Sequence, residues 1–171
     1  MIESMISAKE IAARVAELGA EISRDYAGET VVLLGTLKGA VIFLADLARA
    51  ITVPVEMDFI KASSYGNDSA SSGKVKIDYA PETDFSGRHI ILVEDIVDMG
   101  YTAVELKKFL LSKNPASVKL CSLLDKPDRR KAQGVVIDYL GFSIEDKFVV
   151  GYGLDYAQQH RNLPYVGIVN L

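Results

Sequence analysis

Residues 89–102 read His-Ile-Ile-Leu-Val-Glu-Asp-Ile-Val-Asp-Met-Gly-Tyr-Thr, and the order of residue types in this stretch decides the fold. Ile90 to Val93 is an unbroken apolar run, as in a strand buried on both faces of a parallel sheet. It delivers two adjacent acids, Glu94 and Asp95, then Asp98 and Gly100, and a helical pattern begins at Thr102. Ligands of open α/β sheets bind at the carboxyl ends of the strands. Two neighbouring acids there suit Mg²⁺, which takes few protein carboxylates and leaves room for substrate oxygens. Acids near a helix start also act as ordinary caps, but that does not explain why both end a buried strand.

The segment Asp98–Thr102 supplies the other half. Its backbone N–H groups are expected to lie open at the helix N-terminus, where they and the helix dipole favour an anion. Gly100 permits a backbone too crowded for a side chain, and Thr102 adds a hydroxyl. The segment is neither G-x-x-x-x-G-K-[ST] nor G-x-G-x-x-G. It therefore suits one phosphate on a small substrate better than a nucleotide triphosphate.

Outward from this centre, strands and helices alternate. Ser7 and Glu10 form a capping box ahead of Ile11, Val15, Leu18 and Ile22, predicting a helix from about Ser7 to Tyr26 that Gly28 ends. Thr30–Leu34 reads as a buried strand, Gly35–Gly39 as a loop and Ala40–Ala50 as a second helix. Val55–Ala62 and Lys74–Tyr79 read as a hairpin around Ser63–Gly73, a stretch rich in Ser, Gly, Asn and Asp. The helix after the central strand is expected over Thr102–Ser112, with Val104, Leu106, Phe109 and Leu110 as its apolar face. Strands are expected at Lys119–Leu124, Val135–Asp138, Phe148–Tyr152 and Tyr165–Val169. This is one α/β domain, residues 1–171, with a mainly parallel sheet flanked by helices.

Composition limits the function. Of 171 residues, 49% are apolar, enough for a sizeable core, and the net charge of −4 offers no basic field for nucleic acid or an anionic membrane. No apolar run approaches the roughly 20 residues that span a bilayer, and Met1–Glu10 lacks signal-peptide character. The single cysteine, Cys121, reads as a small buried hydrophobe in a reducing cytoplasm.

Val93–Thr102 resembles the phosphoribosyl-pyrophosphate (PRPP) signature of type I phosphoribosyltransferases, and the chain as a whole resembles the bacterial hypoxanthine-guanine branch. Four further stretches carry the likeness: Leu37-Lys38-Gly39, Ser63-Ser64-Tyr65-Gly66, Leu124-Asp125-Lys126, and Phe148 to Tyr156 with Arg161 beyond. The resemblance implies the type I fold, with a flexible lid hairpin and a small hood, and a purine salvage reaction that joins the 5-phosphoribosyl group of PRPP to a 6-oxopurine with Mg²⁺ as cofactor. It implies homodimers or homotetramers. It assigns Lys38 and Gly39 to pyrophosphate, on a Leu37–Lys38 peptide often found cis, and Ser64 and Tyr65 to the lid. Asp98, Met99, Gly100, Tyr101 and Thr102 fall to the 5′-phosphate, with Asp98 also the base for purine N7. Lys126 falls to the exocyclic oxygen, Phe148 to stacking, the Val149 backbone to the base edge, Glu94 and Asp95 to metal, Asp155 to the 2-position and a second metal, and Arg161 to pyrophosphate.

Taken singly, several of these are ordinary. Phe148 alone reads as core packing, Lys38 as a surface lysine, the Ser/Gly stretch as a plain loop, and Arg129-Arg130-Lys131 as a solvated charge run. Met99 departs from the family pattern, which has Thr or Ser there, and so lacks a hydroxyl for the phosphate. Two other readings stay open: a PRPP-sensing regulator without catalysis, and the same chemistry on xanthine, which Asp155 does not exclude.

Overall fold

The computed structural model describes residues 1–65 and 73–170. Helix α1 (Ala8–Asp25) opens on the expected capping box: Glu10 N–H donates to Ser7 Oγ at 3.1 Å, and Ser7 N–H to Glu10 Oε2 at 2.8 Å. After β1 (Ile2–Ile6) and α1 the chain runs β2 (Val31–Thr36), α2 (Val41–Ala50), β3 (Val55–Ser64) and β4 (Val75–Tyr79). It continues through β5 (His89–Val97), α3 (Tyr101–Leu111), β6 (Ser117–Asp125), a 3₁₀ turn at Pro127–Arg129, β7 (Tyr139–Ser143), β8 (Val149–Val150) and β9 (Val166–Val169).

Six strands form the main sheet in the order β4-β3-β2-β5-β6-β7, parallel except for the β3–β4 hairpin. Strand alternation divides the apolar residues between two cores. Val31, Leu33, Ile91, Val93, Cys121 and Leu123 face α1 and α2, against Ile11, Leu18, Phe43 and Leu47. Val32, Leu34, Ile90, Leu92 and Leu120 face α3, against Ala103, Leu106 and Leu110. A small antiparallel sheet, β1-β9-β8, stands apart from the main one. It supplies the expected hood.

Four expectations change. The central strand does not end at Glu94 but runs to Val97, because β6 keeps pairing with it as far as Asp125. The strand placed at Val135–Asp138 lies instead at Tyr139–Ser143; Val136 is exposed, and Asp138 is used to accept the Leu120 N–H on its side chain. On α3, Ala103 and not Val104 takes the buried position. On β3, Met57 faces out and Ile60 is the buried residue. The strand β1 had no counterpart in the sequence reading. Of the Ser63–Gly73 stretch, Ser63 and Ser64 belong to β3, and residues 66–72 lie outside the described residues.

Helices α1 and α2 touch at Gly19, where a Cβ would stand 2.5 Å from the Ala50 carbonyl oxygen and 2.6 Å from the Ala50 Cβ. A methyl there gains helix propensity of about 1 kcal/mol but overpacks the contact by about 1–3 kcal/mol. Gly19→Ala is expected to lower the urea midpoint. An unchanged midpoint would mean that the two helices part freely.

Candidate active site

The site begins where β2 leaves the sheet. The β2–β5 ladder stops at Gly35 and Val93, while β5 continues beside β6 for four more residues. Glu94 and Asp95 sit on this overhang, on opposite faces of the strand. Glu94 points toward the α3 side. It is buried; its Oε2 accepts from Thr36 Oγ1 at 2.7 Å, and its Oε1 has no hydrogen-bond partner among the described residues. Burial, then the neighbouring Asp95 charge, raises the Glu94 carboxyl to about 8. Burial raises Asp95 as well, to about 6, against the lowering effects of its bond from the Ile96 amide (2.8 Å) and the Arg161 charge. Both acids line a cavity of about 210 Å³ with Thr36, Leu37, Gly39 and Thr102.

On the α3 side the loop 98–102 closes a second cavity of about 90 Å³, which Glu94 and Ser64 also line. Gly100 is the N-cap of α3 at φ +87°, with no side-chain cap on the first-turn amides. A Cβ at Gly100 would meet Val135 at 2.7 Å and Arg130 at 2.9 Å. The expected row of open amides is shorter than Asp98–Thr102, because Met99 N–H donates to Asp98 Oδ1. The loop is braced from behind: Arg130 Nε donates to the Asp98 carbonyl at 3.1 Å, and the Lys131 and Ala132 amides donate to the Met99 carbonyl at 3.1 and 2.9 Å. Arg130 is also paired with Asp125. Within the charge run 129–131, Arg130 is thus structural, while Lys131 is exposed.

The facing wall comes from the loop before α2 and from the hood. The Leu37–Lys38 peptide is cis, as the resemblance implied. A Cβ at Gly39 would stand 1.7 Å from Asp95 Oδ2, and one at Gly153 2.1 Å from the Gly39 carbonyl oxygen. Only glycine fits at either place. Lys38 Nζ and Arg161 Nη2 both donate to Gln158 Oε1, at 3.4 and 3.3 Å, which gathers two cations, and the Arg161 charge reaches Asp95. Arg161 also donates to the Gly153 carbonyl at 2.7 Å and pairs with Asp155 at 3.0 Å. Asp155 further accepts the Gln158 amide at 2.8 Å.

A third group gathers past β6. Lys126 is nearly buried, its amide bonded to the Val97 carbonyl at 2.9 Å, which sets it beside the end of β5. Phe148 is 43% exposed, with its ring edge-on to Tyr156 at 5.5 Å, so it is not core. Val149 is buried in β8. Tyr65 is exposed, its amide bonded to the Lys74 carbonyl at 3.0 Å, while Gly66 lies outside the described residues.

The profile of the phosphoribosyl transferase domain matches residues 3–157. A hypoxanthine-guanine phosphoribosyltransferase of Bacillus subtilis is 47% identical, covering 96% of this chain and 91% of its own. A hypoxanthine phosphoribosyltransferase of Salmonella typhimurium is also 47% identical, over 99% and 96%. The crystal structure of a hypoxanthine-guanine phosphoribosyltransferase from Bacillus anthracis superposes with a TM-score of 0.94 at 43% identity, over 98% of both chains. The chain belongs to the phosphoribosyltransferase family.

Among the described residues no three His, Cys, Asp or Glu side chains cluster as a metal cage. Asp155, committed to Arg161 and Gln158, therefore does not complete a triad with Glu94 and Asp95. The donor set fits Mg²⁺ all the same, since that ion is held by one or two carboxylates plus substrate oxygens. The Oε1 of buried Glu94, without a partner among the described residues, is an acceptor suited to such an ion. Sequence reading missed Gln158 and Arg130 in this phosphoribosyltransferase. Neither position carries a motif; each acts only through contacts the fold creates.

Glu94 is an acid whose carboxyl is raised on folding, so the folded state holds its proton more tightly than the unfolded chain does. Stability is full below the unfolded value near 4.5 and is lost as pH rises toward about 8. The ligand-free protein should therefore melt at progressively lower temperature from pH 5 to pH 8. Glu94→Gln should flatten that slope, and an equally steep slope in the variant would contradict the burial account.

Proposed function

We propose that this chain is a purine salvage enzyme, transferring the 5-phosphoribosyl group of PRPP to N9 of hypoxanthine or guanine and releasing IMP or GMP and pyrophosphate. The observation that carries the reading is the convergence of three elements on the β5 overhang: a buried acid beside a half-buried one, a helix start at a glycine, and a glycine loop with two cations. Each matches one part of PRPP, and the similarity to named hypoxanthine(-guanine) phosphoribosyltransferases runs over nearly the whole chain.

The amides of Gly100–Thr102 and the Thr102 hydroxyl hold the 5′-phosphate. Lys38 and Arg161 face the pyrophosphate, and Arg161's planar fork suits its oxygens. Glu94 and Asp95 would hold Mg²⁺ and the ribose hydroxyls, and Asp155 would hold a second metal or the purine 2-position. When bound, Mg²⁺ would offset charge on the departing pyrophosphate as a Lewis acid. Lys126 donates to the purine 6-oxygen, Phe148 stacks on the ring, and the Val149 backbone bonds its edge. As the C1′–O bond to pyrophosphate breaks, positive charge grows on the ribose and the carboxylates of the overhang stabilise it. N9 forms the new bond to C1′, and Asp98 takes the proton from N7. Ser64 and Tyr65 belong to the hairpin that shields this centre from water.

The chain acts as a single domain, residues 1–171, and we place it in the cytoplasm, where a buried unpaired cysteine is stable. We assign it a homodimeric or homotetrameric assembly on the family likeness. The small-molecule substrates leave no role for nucleic acid or membrane. Among the described residues no helix is long and apolar enough to cross a bilayer.

A purine panel with PRPP and Mg²⁺ tests the reading. Hypoxanthine and guanine should react, and adenine should not, because its 6-amino group cannot accept from Lys126. PRPP binding without turnover of any base would overturn the assignment in favour of a sensor. Asp98→Asn should lower kcat by about a hundredfold or more, the usual worth of a general base, with PRPP binding retained. Met99→Thr should lower the KM for PRPP by up to about tenfold, since a restored hydroxyl to a charged phosphate adds roughly 1.5 kcal/mol.

A further inference from the structure

Four charged side chains form a row beside the candidate base pocket. Lys126 Nζ lies 3.6 Å from Asp146 Oδ1, Arg129 Nη1 lies 3.7 Å from Asp146 Oδ2, and Arg129 Nε lies 4.0 Å from Asp98 Oδ2. All three separations exceed the roughly 2.7–3.2 Å of a direct N–H···O bond, so the pairs hold by charge and leave donor and acceptor directions open for a ligand. Lys126 and Arg129 are three residues apart across the 3₁₀ turn, where the Arg129 amide bonds the Lys126 carbonyl at 3.1 Å. Side chains at that spacing overlie one another, and two cations so placed repel. Asp146 enters between them from the loop after β7, which is tied to the same place by the Ile144 amide on the Asp125 carbonyl at 2.9 Å.

We infer that Asp146 is a positioning residue for base recognition. It holds Arg129 partly off Asp98 and fixes the spacing of Lys126 and Asp98 that reads the adjacent O6 and N7 of a 6-oxopurine. The inference rests on the purine transfer proposed above. The Lys126 side chain is only 11% exposed, so little water is at hand to replace Asp146 as its partner. Without the Asp146 charge, Arg129 loses one of its two anionic neighbours and is drawn fully onto Asp98, covering the acceptor that N7–H requires.

The test compares Asp146→Asn, Asp146→Glu and the double variant Asp146→Asn with Arg129→Gln, in steady-state kinetics with hypoxanthine and PRPP. Asp146→Asn should lower kcat/KM for hypoxanthine by about tenfold or more and leave the KM for PRPP unchanged. Asp146→Glu should recover most of the loss. The double variant should outperform Asp146→Asn, because removing Arg129 uncovers Asp98. Stabilisation against heat by PRPP with Mg²⁺ should match wild type throughout. Equal rises in both KM values, additive losses in the double variant, or lost PRPP stabilisation would each overturn the inference. Failure of the wild type itself to use any purine would overturn the purine reading instead, a result distinguishable from these.

Discussion

Strand β5 keeps its ladder to β6 as far as Val97, while its ladder to β2 closes at Val93. Every other part of the site depends on that difference in length. A strand held on one side only offers its last residues to a cleft without losing its place in the sheet. Glu94 and Asp95 keep their place because β6 pairs with the strand, yet line a cavity because β2 has turned away. The turn of β2 puts Thr36 against Glu94 and brings Gly39 onto Asp95. One offset thereby generates the acid pair, a hydroxyl partner for one acid, and a backbone wall for the other.

The same offset explains the electrostatics. Two acids withdrawn from water resist ionising together, and both are raised by burial. The cations able to offset them, Lys38 and Arg161, stand off on Gln158 instead of bonding either acid directly. Opposite charges kept close but not fused are poorly satisfied by each other and well satisfied by a ligand that carries both signs. A metal-bound pyrophosphate does. Preorganisation of this kind spends stability in the ligand-free protein so that little reorganisation is needed when charge develops.

Much of this was legible in the chain. The capping box, the two buried apolar strands and the central motif follow from local patterning, and the structure keeps them within two residues except at the end of β5. What escaped were features that only pairing or packing decides. The three extra residues of β5 exist because β6 is there to pair with them, and β1 because β9 receives it. Tyr139–Ser143 outcompetes the more apolar Val135–Asp138 because the register with β6 leaves Asp138 to bond Leu120 and turns Val136 to solvent. Arg130 looked like part of a charge run; its bracing role depends on Gly100 having no side chain in its way.

Sheet and loops divide the work. The sugar-phosphate half stands on strand ends and a helix start, whose geometry the main sheet enforces. The proposed base half stands on segments after β6 and β7, where the Lys126, Arg129 and Asp146 side chains meet by charge at 3.6 and 3.7 Å. Charge pairs at 3.6 to 4.0 Å are softer constraints than a ladder of backbone bonds. On the proposed function, changes in those segments should alter base recognition more than PRPP binding. Asp98 is where the halves meet: its backbone belongs to the phosphate loop, and its carboxylate faces Arg129. On the proposed function, a residue anchored on the rigid side and ion-paired on the soft side links the two substrates.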